Sequence, residues 1–229
     1  MDSEGRRAKE MIKGLPFKER VKHFWYYYQK HVYVIVVAVV IVAWGTAQCI
    51  NKPKYDLNIA YYTSRGADQG VVDEFADSLG ELVKDIDGNE STDVFVSMYM
   101  ANITGKVLDQ QAQALLTKIP LELSADDFPL YILDKAFMEY FERVYPESIA
   151  NKILLSDIPE GVDALKIYEG EEVYLVTIAE SNRVKDDEKK MAERENAMIV
   201  QEYFAQKAEE AENAKVEAEA ATEEENTEK

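Results

Sequence analysis

Three short groups of polar residues each follow a stretch rich in apolar residues. They are Thr63, Ser64 and Arg65 after the first stretch, Asn102 and Thr104 after the second, and Asp134 and Lys135 after the third. Together they offer hydroxyls, an amide and charges of both signs, as a site for a small polar ligand does. A guanidinium contributes nothing to a helix cap but binds carboxylate or phosphate, so Arg65 predicts an anion site. The alternative, which residue type alone favours, is that these residues only cap helices and form turns.

The apolar stretches 56–63, 93–100 and 128–134 are predicted strands, and apolar residues at helical spacing follow each of them. The three helical stripes are Val71, Val72, Phe75, Leu79 and Leu82; Leu108, Ala112, Leu115, Leu116 and Ile119; and Phe137, Tyr140, Phe141 and Val144. Pro120 is expected to interrupt the second helix. The alternation predicts a three-layer α/β domain with a mainly parallel sheet. The carboxyl ends of such strands share one edge, which would bring the three polar groups together.

The pattern changes after Pro146. Two short apolar runs around Glu169 and Gly170 in "ALKIYEGEEVYLVTI" predict a late β-hairpin. A helix is expected from about Val184. It would pack on the domain through Met191, Met198, Ile199 and Tyr203. Beyond residue 206 the chain is mostly Ala and Glu, which cannot bury enough surface to offset ordering. Residues 207–229 are therefore expected to form a fraying helix that ends in a disordered acidic tail. Binding of cations or of a basic partner by this tail is the alternative.

The positions of histidine and cysteine restrict the available chemistry. His23, His31 and the single cysteine, Cys49, all precede residue 52. The rest of the chain therefore cannot form a Ser-His-Asp triad, a Cys-His pair or a zinc site of imidazoles or thiolates. We assign no catalytic residue, no metal ligand and no cofactor, and an enzyme is less favoured than a binding protein. Chemistry based on carboxylates or lysine stays open.

The segment "DIDGNESTD" (85–93) spaces its oxygen-bearing side chains like a calcium-binding EF-hand loop. Its glycine, however, is at the fourth position of the loop rather than the sixth, and Val96 stands where the bidentate glutamate belongs. The favoured interpretation is a turn rich in Asx residues and glycine. Cation binding by this turn is the alternative.

Residues 32–51 form a run of twenty residues without charge. At about 1.5 Å per residue this run covers the roughly 30 Å hydrocarbon core of a bilayer. A cleaved signal peptide has a shorter apolar region, and Gln48 and Thr46 do not fit lipoprotein processing at Cys49. Aromatic residues 24–28 and Trp44 suit the two interfaces. We therefore predict a retained transmembrane helix rather than a buried core element.

Charge is distributed unevenly along the chain. Residues 1–50 hold eight Lys or Arg against four Asp or Glu, whereas residues 51–229 hold eighteen against forty. The positive-inside rule places the N-terminus in the cytoplasm and the C-terminus outside. Residues 17–28 are either an amphipathic helix on the inner leaflet or the first turns of the anchor helix. The acidic body repels phosphate, so nucleic acid is not an expected partner.

The segments "FKERVKHFWYYYQKHVYVIVV", "KYDLNIAYYTS", "DIDGNE" and "FPLYILDKAFMEYF" resemble a family of uncharacterised single-pass membrane proteins of Gram-positive anaerobes. The external domain of that family is similar to one lobe of a periplasmic solute-binding protein, and "ENAMIVQEYF" (195–204) resembles a late helix of such lobes. The resemblance covers about residues 17–206. It implies an extracytoplasmic domain with a lobe-like α/β fold and does not imply an activity.

The expected organisation is a cytoplasmic basic and aromatic segment (1–31), a transmembrane helix (32–51), an external α/β domain (54–206) and the tail (207–229). The favoured function is a membrane-tethered interaction or scaffold module. It would contact the bilayer through residues 17–51 and a protein partner at the cell surface. A module that binds or senses a small ligand is the second hypothesis, and a carboxylate-based hydrolase is the third.

Overall fold

The computed structural model describes residues 16–50, 55–105, 107–180 and 187–227. The chain divides into two compact units, Met1–Pro53 and Lys54–Lys229. Helix α1, Phe17–Ile50, belongs to the first unit, and every other element belongs to the second.

Helix α1 is continuous over 34 residues, so residues 17–28 are its first turns rather than a separate helix. Its apolar side chains from Tyr33 to Trp44 are exposed wherever they are described. Among the described residues, no helix combines the length and apolar character that crossing a bilayer requires. The side chains of Val32 and residues 45–50, and all of Asn51, lie outside the description. The membrane crossing stays a prediction.

The second unit contains a five-stranded open sheet. Its strands are β1 Leu57–Thr63, β2 Val94–Met100, β3 Leu130–Asp134, β4 Ile149–Leu154 and β5 Val173–Ile178. Their order in the sheet is β2-β1-β3-β5-β4. Strand β1 runs parallel to both neighbours, whereas β5 is antiparallel to β3 and β4. The α/β class is confirmed, and the sheet is mixed rather than mainly parallel.

Helices cover both faces of this sheet. They are α2 Gln69–Gly80, α3 Gln110–Ala125, α4 Lys135–Val144, α5 Pro159–Leu165 and α6 Glu188–Thr227. One core joins alternate residues of β1, such as Leu57 and Ile59, to α2, α5 and α6. The other joins Ala60 and Tyr62 to α3 and α4. Because β1 and β3 are buried on both faces, their apolar runs are nearly continuous.

The expectation that Pro120 interrupts α3 is wrong, since the helix continues to Ala125. Residues beyond the proline are tied to the rest of the domain. The carboxylate of Glu122 is buried, accepts a hydrogen bond from the Tyr62 hydroxyl and pairs with Lys118 at 2.8 Å. These contacts, together with burial of Ile119, outweigh the backbone hydrogen bond that a proline removes.

The predicted late β-hairpin is correct for its second strand and wrong for its first. The second apolar run is β5, but its antiparallel neighbour is β4 rather than the segment around Leu165. That segment is the end of α5 and the start of the loop 166–172. Strand β4 was missed because, at the edge of the sheet, it buries only Ile153 fully and shows no clear alternation.

Helix α6 packs through a different face from the one predicted. Its buried apolar residues are Ala197, Val200 and Phe204, whereas Met198 is 55% exposed. Tyr203 contacts the core only in part. In the segment expected to be a fraying helix and then a disordered tail, the structure continues α6 as a helix to Thr227.

Candidate functional site

A cleft of about 550 Å³ opens where β1 and β3 end. From β1 the chain crosses to β2 on one side, and from β2 it returns to β3 on the other. Helices α2 and α3 of these crossovers lie on opposite faces of the sheet. In open α/β sheets this switch point is the usual place for a ligand.

Six of the seven residues predicted for a ligand site line this cleft. They are Thr63, Ser64, Arg65, Thr104, Asp134 and Lys135. The seventh, Asn102, does not line it. Its side-chain oxygen accepts hydrogen bonds from the backbone N–H and the hydroxyl of Thr104, at 3.0 and 2.8 Å. Asn102 therefore has the turn-forming role of the alternative hypothesis.

Asp134 connects the ends of the two central strands. Its Oδ1 accepts the backbone N–H of Phe137 at 3.0 Å and so caps α4. Its Oδ2 accepts both the backbone N–H and the hydroxyl of Ser64, which follows β1. A carboxylate held by three donors is well suited to fix the geometry of the cleft floor.

Two further polar groups near β1 also have local partners. The Thr63 hydroxyl donates to the carbonyl of Arg65 at 2.7 Å and accepts the N–H of the same residue. Asp68 caps α2 by accepting the N–H of Gly70 at 2.9 Å. Several of the predicted ligand-site residues therefore cap helices or form turns. All of them except Asn102 also line the cleft.

The loop 166–172 forms the opposite wall of the cleft, and sequence reasoning missed it. Lys166 ends α5 in the left-handed conformation, and Gly170 has φ of +83°, where a side chain would be strained. The Glu171 N–H closes the turn on the Tyr168 carbonyl at 3.0 Å. Gly170 did indicate a turn in the sequence. The predicted hairpin, however, placed residues 166–172 in the sheet rather than over the ends of β1 and β3.

Two ion pairs join the strand ends to this loop. Arg65 Nη1 lies 2.8 Å from Glu171 Oε1, and Lys135 Nζ lies 2.7 Å from Glu172 Oε1. Hydrogen bonding to Glu172 raises the pKa of Lys135, and hydrogen bonding to Lys135 lowers the pKa of Glu172. The Arg65 side chain is 77% exposed, so its pairing is open to exchange with solvent or a ligand.

Tyr61 lies beneath the cleft and is only 7% exposed. Burial raises its pKa to about 12, and the carboxylates of Asp134 and Glu171 add to that shift. Its hydroxyl is therefore neutral at physiological pH and can hydrogen-bond a ligand as a donor.

The turn 85–93 is the candidate metal centre. Carboxylate oxygens of Asp56, Asp85 and Asp87 lie within 4.8 Å of one another. Backbone N–H groups already occupy these carboxylates: Ile86 and Asp93 donate to Asp56, and Gly88 and Glu90 donate to Asp85. Desolvation by itself would raise the pKa of Asp85, but the backbone hydrogen bonds of this turn together lower it. This is the turn of Asx residues and glycine that the sequence favours.

Comparison with known proteins gives no match, whether to a protein-family model, to a curated protein or to a solved structure.

Proposed function

We propose that this protein is a membrane-tethered module that binds a small polar ligand in the cleft at the ends of β1 and β3. The observation that carries the proposal is the cleft itself, at the switch point of the sheet. Its walls combine hydroxyls, charges of both signs and the apolar side chains of Val71, Leu165 and Ile167. The polar groups can orient a ligand, and the apolar side chains can bury part of its surface.

The tether in this proposal is residues 32–51, with the N-terminus in the cytoplasm and the binding domain outside the cell membrane. Support comes from the uncharged run, from the basic residues that precede it and from the helical conformation of α1. The exposed valines and isoleucines of α1 would be covered by lipid. The resemblance to one lobe of solute-binding proteins agrees with an external binding domain and stays part of the proposal.

A protein-interaction or scaffold module is the second candidate. Strand β2 lies at an edge of the sheet, and it exposes Phe95 and Met100 by 41% and 48%. An edge strand can pair with a strand of a partner at the cell surface. The cleft is the more specific feature, so ligand binding stands ahead of the function that the sequence favoured.

A carboxylate hydrolase has weaker support. An acid catalyst needs a carboxyl group with a raised pKa near the substrate. Burial raises the pKa of Glu193, but this residue bonds Asn58 and does not line the cleft.

Retention of small molecules by the full-length protein tests the proposal. The protein in non-ionic detergent would be dialysed against a small-molecule extract of the cells that produce it, and retained compounds identified by mass spectrometry. Ala136 lines the cleft, so Ala136→Trp would fill it, whereas Ala205→Trp adds the same side chain at an exposed position of α6. We expect a compound retained by the wild type and by Ala205→Trp but not by Ala136→Trp. Retention of nothing, or equal retention by all three proteins, would refute ligand binding in the cleft.

A further inference from the structure

Two of the three described cations of the cleft, and both helix N-termini at its edge, already have carboxylate partners. Helix N-termini bind anions through free backbone N–H groups. Here Asp134 takes the Phe137 N–H of α4, and Asp68 takes the Gly70 N–H of α2. Both helix N-termini at this edge are thus neutralised by side chains of the protein.

The two cations that follow the strands are neutralised in the same way. Arg65 pairs with Glu171, and Lys135 pairs with Glu172. An anionic ligand would have to displace a glutamate from each of them. Because an anion must compete with Glu171 for Arg65, the arginine alone does not decide the sign of the ligand charge.

Formal negative charge still exceeds formal positive charge in the described part of the cleft lining. Among the residues that the structure describes, three cations line the cleft, Arg65, Lys135 and Lys166, and five anions, Asp68, Asp134, Glu139, Glu171 and Glu172. The positive ends of α2 and α4, about half a charge each, reduce this excess from two negative charges to about one. Glu139 is exposed on α4, one turn from Lys135, and faces the same cleft. A concave site lined by an excess of one sign concentrates ions of the opposite sign.

We propose that the ligand is a small organic cation, an amine with a short apolar body. This inference rests on the proposed function and names the ligand class of the same cleft. The ammonium group would lie near the Glu139 carboxylate, and its carbon chain would contact Leu165 and Ile167. The Tyr168 ring, 75% exposed at the mouth, offers a face to the cation.

A matched pair of probes tests the sign of the ligand charge. 1,4-Diaminobutane and succinate have four-carbon chains with opposite charges, and each would be titrated calorimetrically into the full-length protein in non-ionic detergent. We expect the diamine to bind with at least about tenfold higher affinity than succinate. Glu139→Gln should weaken diamine binding by about threefold or more. Glu202→Gln, which removes an exposed charge of α6 outside the cleft, should not weaken it.

The outcomes separate this inference from the proposed function. Diamine binding that Ala136→Trp abolishes and Glu139→Gln weakens supports both. Succinate binding that Ala136→Trp abolishes, without diamine binding, overturns the cationic ligand and leaves the ligand site standing. If neither probe binds, the amine inference fails, and retention of another compound in the dialysis experiment decides whether the ligand site stands. Diamine binding that is insensitive to Ala136→Trp overturns the inference, because the cation is then attracted to the acidic surface in general.

Discussion

The two ends of the sheet both collect carboxylates, but they use them differently. At the amino end of β1, the side chain of Asp56 is 1% exposed and accepts two backbone N–H groups of the turn 85–93. Asn196 of α6 bonds the carbonyls of Asp56 and Lys84 and accepts the Lys84 N–H. At the carboxyl end, Glu171 and Glu172 pair with exposed cations around a cleft.

The difference shows which acidic groups are free to serve a ligand. A buried carboxylate satisfied by backbone donors cannot leave them without exposing an unpaired N–H, so it is structural. A carboxylate paired with an exposed lysine or arginine exchanges partners at little cost. By this criterion the carboxylate of Asp56 at the amino end stabilises the fold, whereas Glu171 and Glu172 at the carboxyl end are available to the proposed ligand. The side chains of the turn 85–93 are spaced like calcium ligands because they accept backbone hydrogen bonds that hold the turn together.

The largest expected effect is at Asp56. Asp56→Ala leaves the N–H groups of Ile86 and Asp93 without their acceptor in a partly buried site, so we expect a loss of about 3 kcal/mol of stability. The free energy of unfolding from urea titration measures it. Asp87→Ala is the control, because Asp87 is exposed and accepts one N–H, that of Asn89, at 3.2 Å. Equal losses in the two variants would remove the distinction between buried and exposed carboxylates in this turn.

Glu193, also at the amino end, is expected to make a smaller contribution to stability that depends on pH. Its Oε1 accepts the backbone N–H and the side-chain amide of Asn58, and burial raises its pKa although these bonds and two lysines oppose the shift. As pH rises above the ordinary glutamate range, the unfolded chain loses this proton first. The folded state then binds more protons, so wild-type stability falls until the pH passes the folded pKa.

Glu193→Gln isolates this contribution, because glutamine keeps the acceptor oxygen and does not titrate. We expect the stability of the variant relative to wild type to increase as the pH rises through and above the ordinary glutamate range. Urea midpoints across this range measure it. A difference that is constant with pH would show that burial does not shift the pKa of Glu193.

The smallest expected effect on stability is in the cleft. Glu171→Gln weakens an ion pair whose arginine is 77% exposed, so stability should change by no more than about 0.5 kcal/mol. Diamine affinity should fall, because one anion of the cleft is lost. Thermal denaturation measures the change in stability, and calorimetric titration of the same sample measures the change in diamine affinity. A large loss of stability would place Glu171 with the structural carboxylates.

The sequence predicted the parts of this site that depend on local pattern. Strands β1 and β3 are apolar runs, and polar residues follow them directly, so Ser64 and Asp134 were placed correctly at one edge. The far wall was missed because it depends on β4, an edge strand with little burial, as the partner of β5. The hydrogen bond from the Asn196 side chain to the Asp56 carbonyl was missed because it joins residues 140 apart in the chain. No local pattern carries such a pairing.

Amide hydrogen exchange on the full-length protein tests the contrast between the two ends most directly. Exchange would be measured with and without the small-molecule extract used for dialysis. We expect the amides of Lys84, Ile86 and Asp93 to be protected in both conditions, since they donate to Asn196 and Asp56. The amides of Gly66 and Gly170, which line the cleft, should gain protection only with the extract. Protection gained in the turn 85–93 instead, with the cleft unchanged, would contradict the account.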